Sequence, residues 1–261
     1  MGFTMPGDLL RELWLITRLN FRPLSFFVAS MLSTAMWLVV VVLAIAWYGG
    51  DISQTARYLF WGMAVFLIFS EQVWGAAVFN TLARTGVVDY VAVSPVKLHT
   101  YLFAVSLAYS AVAAPGVLIL LGIYYLLLGE FPPLAQPVNF AAAFVIFVTA
   151  AALLVSLFTF LFIRLRNPNF VVNVLQWAVP LSGGMIPPTA MPPEAAQFFL
   201  LSPFHYVIAP VVYSATGVWL ADPPTTLALG AVVAVVFYVL TLYAAKSAMW
   251  RYRATGKWGV E

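Results

Sequence analysis

A chain of 261 residues with 64% hydrophobic residues, 8% charged residues and a mean hydropathy of +0.98 lies far from the roughly 25% charge of soluble domains, and it reads as a polytopic membrane protein. The lack of cysteine excludes disulfides and thiolate metal sites, and two histidines are too few for a typical zinc centre. The net charge of +3 forms no basic patch clear of the apolar runs, so it speaks to topology rather than to nucleic-acid binding.

From Pro6 to Arg22, the residues Leu9, Leu10, Leu13, Trp14, Ile16 and Phe21 fall on one side of a helical wheel, with Arg11, Arg18 and Arg22 opposite. This predicts an interfacial amphipathic helix over residues 1–22, its arginines near anionic headgroups. The apolar run behind it is too long for a signal peptide and no A-x-A pattern follows, so the helix is read as uncleaved. Leu24 to Tyr48 carries no charge and ends on Trp47 and Tyr48, the pattern of a first span. Gly49 to Arg57 is a short loop, and Tyr58 to Ala83 is a second span with Glu71 and Gln72 near its middle. A charge at that depth costs about 2.5–3.5 kcal/mol on insertion scales, so it should face protein or water. Glu71 and Gln72 therefore read either as part of a substrate path or as a hydrogen-bonded lock between helices.

Gly86-Val87-Val88-Asp89-Tyr90-Val91-Ala92-Val93-Ser94-Pro95-Val96-Lys97 separates two long apolar runs. Gly86 breaks the preceding helix. Pro95 biases Ser94 away from helical geometry and supplies a first-turn residue to the next helix. The residues between them allow about two turns, which predicts a short helix within 86–95 lying across the ends of two spans. Leu98 to Leu128 is long for one span and holds Pro115-Gly116, where the lost backbone donor predicts a kink. Gly129 to Pro137, proline-rich with Glu130 and no basic residue, reads as an outside loop. Val138 to Ile163 is the fourth span, Arg164 to Pro168 a tight basic turn, and Asn169 to Pro180 begins a fifth span containing Asn173 and Gln176.

Prolines then divide the apolar region 186–216 into two short helices, roughly Pro193 to Leu201 and Phe204 to Ser214, each about half a crossing in length. A re-entrant pair containing Pro203, Phe204, His205 and Tyr206 is expected, since broken backbone at membrane depth is tolerated where protein or water covers it. Thr225 to Ala245 is the last span of a transmembrane domain taken as 23–251, and 252–261 is a cytoplasmic tail. With both termini inside, Arg11, Arg18, Arg22, Arg84, Lys97, Arg164, Arg166, Lys246, Arg251, Arg253 and Lys257 are cytoplasmic and only Arg57 is outside, eleven basic residues against one.

The order of glycine, an apolar and acidic pair, an apolar turn and Ser94-Pro95-Val96-Lys97 resembles the coupling helix of the type 2 ATP-binding-cassette (ABC-2) exporter permeases. The N-terminal helix is similar to the same family. So is the succession of fifth span, proline-rich break, paired short helices with Ser202-Pro203-Phe204-His205-Tyr206, and sixth span. Ser202 stands where members commonly carry asparagine, and Asn80 to Thr85 lacks their usual acidic-basic cluster. The resemblance implies an all-α polytopic fold of six transmembrane helices, with a coupling helix between spans 2 and 3 and re-entrant helices between spans 5 and 6. It implies that Gly86, Val87, Val88, Asp89, Tyr90, Val91, Ser94 and Pro95 engage a separate ATPase subunit, which holds the ATP and Mg while this chain carries no cofactor. A second permease chain would complete a homodimer in the plasma (cytoplasmic) membrane. Closure of the ATPases would then move a drug, lipid or lipid-linked glycan outward by alternating access.

No G-x-x-x-x-G-K-[ST] loop occurs, because Gly256-Lys257 is followed by Trp258 and Arg251 stands where the first glycine belongs. G-x-S-x-G and H-E-x-x-H are also missing, so a transporter subunit rather than an enzyme is expected. The competing readings are a membrane-embedded enzyme using Glu71 or His205 and a secondary transporter driven through Glu71. In this cysteine-free chain, single cysteines at Ser53, Gln136 and Thr189 should label from outside, and ones at Thr85 and Thr255 only after permeabilisation. Outside labelling at Thr255 would rule out six spans with both ends inside.

Overall fold

The computed structural model describes residues 52–258 apart from Thr85, Ser94, Pro95, Arg164, Arg166, Asn167 and 187–192, so the expected interfacial helix and first span lie outside the described residues. All regular structure among the described residues is α-helical: α1 (Ile52–Arg84), α2 (Val87–Val93), α3 (Leu98–Val112), α4 (Ala114–Leu128), α5 (Pro137–Phe162), α6 (Asn169–Ser182), α7 (Pro193–Phe199), α8 (His205–Thr216) and α9 (Pro223–Thr255). Four segments are long and apolar enough to cross a membrane, namely Leu59–Asn80, Leu98–Leu128, Pro137–Phe162 and Pro223–Thr255. They coincide with the second, third, fourth and last spans read from the sequence. Helix α6, where a fifth span was expected to begin, is regular for 14 residues, about 21 Å against a hydrocarbon thickness of about 30 Å.

The break in the third span falls at Ala113, between α3 and α4. Pro115 has no N–H to offer the carbonyl two residues before Ala113, and the Ala113 N–H is shared between the Ala111 and Tyr109 carbonyls. Helix α9 runs ten residues past Ala245, to Thr255, so the last span continues without interruption into the expected tail.

Helix α5 is the post of the bundle and packs against α1, α3, α8 and α9. Its buried face combines Ala143, Ala150, Ala151 and Ala152 with Phe147 and Leu154. Small residues let neighbouring backbones approach, which matters in a bilayer where lipid tails are as apolar as leucine. The hydroxyls on this face return to their own helix, Ser156 Oγ to the Ala152 carbonyl at 2.7 Å and Thr159 Oγ1 to the Val155 carbonyl at 3.0 Å. Thr241 Oγ1 crosses from α9 to donate to the Leu153 carbonyl at 3.0 Å. Along α9 only a narrow stripe, Thr226, Gly230, Phe237, Thr241 and Ala245, is buried, while Val232, Val235, Val239 and Tyr243 point outward. An apolar surface of that extent belongs in lipid.

The two ends of the bundle differ. At one end Arg57 pairs with Glu130 at 2.8 Å, and Trp61 Nε1 donates to the Pro133 carbonyl. There, too, the Ala135 and Gln136 N–H groups donate to the Ala215 and Ser214 carbonyls, closing the loop onto the end of α8. Helix α8 starts beside the middle of α9, where Phe204 meets Phe237, and finishes at this loop. The opposite end gathers α2, the start of α3 and the last turns of α9, with Lys97, Lys246, Arg251, Arg253 and Lys257.

Two glycines permit the closest crossings. A Cβ on Gly230 would lie 2.3 Å from the Tyr206 carbonyl oxygen, and one on Gly62 would lie 1.9 Å from that of Met185. Backbone atoms cannot swing aside, so Gly230→Ala should cost about 1–3 kcal/mol by overpacking. Gly122, with nothing within 4 Å, is the control: Gly122→Ala should be neutral or stabilise by up to about 1 kcal/mol. Thermal unfolding in detergent checks both, and equal melting temperatures for the two variants would contradict the α8–α9 contact.

Candidate functional site

Helix α2 owes its start to Gly86, whose φ of +78° lies in the left-handed region open to glycine. The turn is closed by hydrogen bonds from the Gly86 N–H to the Ala83 carbonyl and from the Asp89 N–H to the Gly86 carbonyl. Val87 opens the helix. Val88, 1% exposed, and Val91 sit in a cluster with Phe79, Leu98, Leu102, Phe160, Ile163 and Ala245, drawn from α1, α3, α5 and α9. The opposite face presents Tyr90 and Val93, 77% and 83% exposed. Val93 is outside the set named from the sequence. Its spacing of three residues from Tyr90, which places both on one helix face, is the signal that finds it. Ser94 and Pro95 lie outside the described residues.

Asp89, half-buried, accepts a hydrogen bond from Trp258 Nε1 at 2.7 Å on Oδ1, and the Tyr252 hydroxyl bonds to it as well. The Tyr252 and Trp258 rings stack at 4.2 Å, and Trp258 is half-buried against the α2 cluster. Gly256 ends α9 in a left-handed cap and turns the chain back so that Trp258 reaches α2. The acid thus clips the short helix to the last turns of α9, across 169 residues of sequence.

Midway along the bundle, Gln72 is wholly buried and donates its amide to Ser110 on α3, so this residue locks α1 to α3. Glu71 is half-buried. One turn further along α1, Gly75 receives the Tyr109 ring, whose Cδ2 would be 2.4 Å from a Cβ there. A second set of polar groups joins α1 to α6. Ser70 Oγ and Trp74 Nε1 both donate to Gln176 Oε1, at 3.0 and 3.1 Å, and Gln176 Nε2 donates to Asn173 Oδ1 at 2.9 Å. Trp74, Val78, Asn173 and Val174 around this seam are exposed.

Pro203, Phe204, His205 and Tyr206 form the entry to α8. Tyr206 donates its hydroxyl to the Leu200 carbonyl at 2.9 Å, holding α7 to α8, and its own backbone carbonyl faces Gly230. His205 is buried edge-on between the Tyr206 and Tyr213 rings. These residues hold helices together. Among the described residues, the Tyr90–Val93 face of α2 is exposed on a helix anchored from beneath.

Comparison with protein-family models and with curated protein sequences finds no match.

Trp258→Phe keeps the stack on Tyr252 and removes only the donor. A partly exposed hydrogen bond to a carboxylate contributes about 1–1.5 kcal/mol. Amide hydrogen exchange across Val87 to Val93 should therefore speed up about five- to twelvefold, while exchange in the middle of α5 stays unchanged. Unaltered exchange in α2 would show that the clip holds nothing.

Proposed function

We propose that the chain is the permease subunit of an ATP-driven exporter of the ABC-2 type, set in the cytoplasmic membrane with both termini inside. In this reading α7 and α8 are the re-entrant pair, α6 belongs to the fifth of six spans, and α2 is the coupling helix between the second and third. The observation that carries it is the build of α2. A seven-residue helix stands at the junction of two candidate spans, fixed below by Val88 and at one side by Asp89, with two apolar residues presented outward. A surface loop with no mechanical duty has little need of four helices beneath it.

The geometry gives such a helix two outputs. A push on Tyr90 and Val93 passes through Val88 and Val91 into the ends of α1 and α3, because a close-packed interior transmits displacement rather than absorbing it. It passes also through Asp89 and Trp258 into α9. One docking event thereby moves the second, third and last spans together. ATP and Mg would be held by the partner ATPase, since this chain has no phosphate-binding loop. The seam where Trp74 and Asn173 are exposed beside Gln176 among the described residues supports a second permease copy opposite it, because amides at membrane depth need protein or water against them. An amphipathic substrate passing between the copies would meet amides and indole rings there.

The test replaces the outward residues alone. Tyr90→Glu with Val93→Asp should leave the membrane level of the permease unchanged and lower the yield of a co-purified Walker-motif ATPase, and of ATP hydrolysis, about thirtyfold. That is the loss of a pair worth about 2 kcal/mol at an interface centre. The purified chain alone should hydrolyse no ATP. Robust hydrolysis by the isolated chain, or a full complement of ATPase on the double variant, overturns the reading.

A further inference from the structure

Beside the α2 platform, α3, α5 and α9 enclose a cleft of about 390 Å³, within the roughly 300–1,000 Å³ of small-molecule sites. Its walls include Phe103, Leu153, Ala234, Tyr238 and Leu242, and its polar end is marked by His99 and Thr100. The Thr241 hydroxyl on its floor is already donated to the Leu153 carbonyl, so the interior makes little polar demand. The cleft opens outward between α3 and α9, where Val235 and Tyr238 are exposed.

Its length and ends identify an occupant. From Ala234 to Leu242 it follows α9 for about 12 Å, against about 15 Å for half the hydrocarbon thickness. Lys97 lies two residues before His99 and Lys246 one helical turn after Leu242, both of which line the cleft, so the two lysines stand at its polar end. Both lysines are exposed, and among the described residues neither has a carboxylate partner. An apolar slot one leaflet deep beneath two cations matches an acyl chain attached to an anionic headgroup.

We propose that this cleft binds one anionic phospholipid of the leaflet facing Lys97 and Lys246, its chain lying against Phe103 and Ala234 and its phosphate between the two lysines. Such a site requires only that the helices cross a bilayer, and it is independent of what drives transport. Because the cleft joins α9 to α3 directly beside α2, a bound lipid would fill the gap between two of the four helices that the platform is built on.

The chain's lack of cysteine makes the test direct. Tyr238→Cys, labelled with a small fluorophore and reconstituted in phosphatidylcholine vesicles, is titrated with doxyl-labelled phosphatidylglycerol or doxyl-labelled phosphatidylcholine. Two lysines contributing about fivefold each predict half-quenching by the anionic lipid at a mole fraction ten- to twenty-five-fold lower than by the zwitterionic one. Lys97→Glu with Lys246→Glu should abolish the preference, and Ala234→Trp should weaken quenching by both lipids by filling the slot. The first comparison uses native lysines and stands even if a variant misfolds: equal quenching by the two lipids overturns the proposal. A preference that survives charge reversal overturns it as well.

Discussion

A helix of seven residues cannot hold itself together in water, since the cost of its first turn exceeds what so few hydrogen bonds return. Helix α2 exists because the bundle end binds it. Val88 is buried beneath residues of four other helices, Gly86 supplies the backbone angle that starts the turn, and Asp89 is bonded to Trp258. The coupling role proposed for this chain depends on that attachment. The attachment reaches the ends of α1, α3 and α9 alike, so α2 is held rigid relative to all three.

Polar pairing also ties the membrane part together, although Gln72 Oε1, His205 Nδ1 and the Tyr213 hydroxyl are buried without a hydrogen bond among the described residues. Hydroxyls on the buried faces return to carbonyls one turn back or cross to the next helix, as at Ser156, Ser214 and Thr241. Gln72 and Gln176 do the longer-range work, the first joining α1 to α3 and the second joining α1 to α6. The two differ in cover. Gln72 is enclosed, whereas the Gln176 seam adjoins the exposed Asn173 and Trp74, which distinguishes an interior lock from a polar seam at the surface of the described residues.

Much of the architecture was legible in the sequence because lipid and proline impose simple patterns. Four apolar runs became the long helices, Gly86 stands just before α2, Pro193 opens the first short helix, and Pro203 precedes the second. What escaped was contact at a distance. Nothing local to Asp89 reveals Trp258, 169 residues away, and an acid in a short polar stretch reads as a surface charge. Ser70 and Gln176 are likewise 106 residues apart. The length of α9 was missed for another reason: hydropathy falls at Lys246, yet the Ala, Met, Lys and Arg residues that follow are good helix formers, so the helix outlasts the apolar run. Val93 was passed over because exposure on a two-turn helix depends on which face the bundle takes.

In the proposed exporter, the outward face of α2 is where a motor subunit sits. A photo-crosslinking residue at Tyr90 or Val93, in membranes of the native host, tests it most directly when compared with the same residue at Val138, exposed at the opposite end of the bundle. An adduct with a Walker-motif ATPase is expected from Tyr90 and Val93 and none from Val138. No adduct from the α2 positions, or equal yields from both ends, would contradict it.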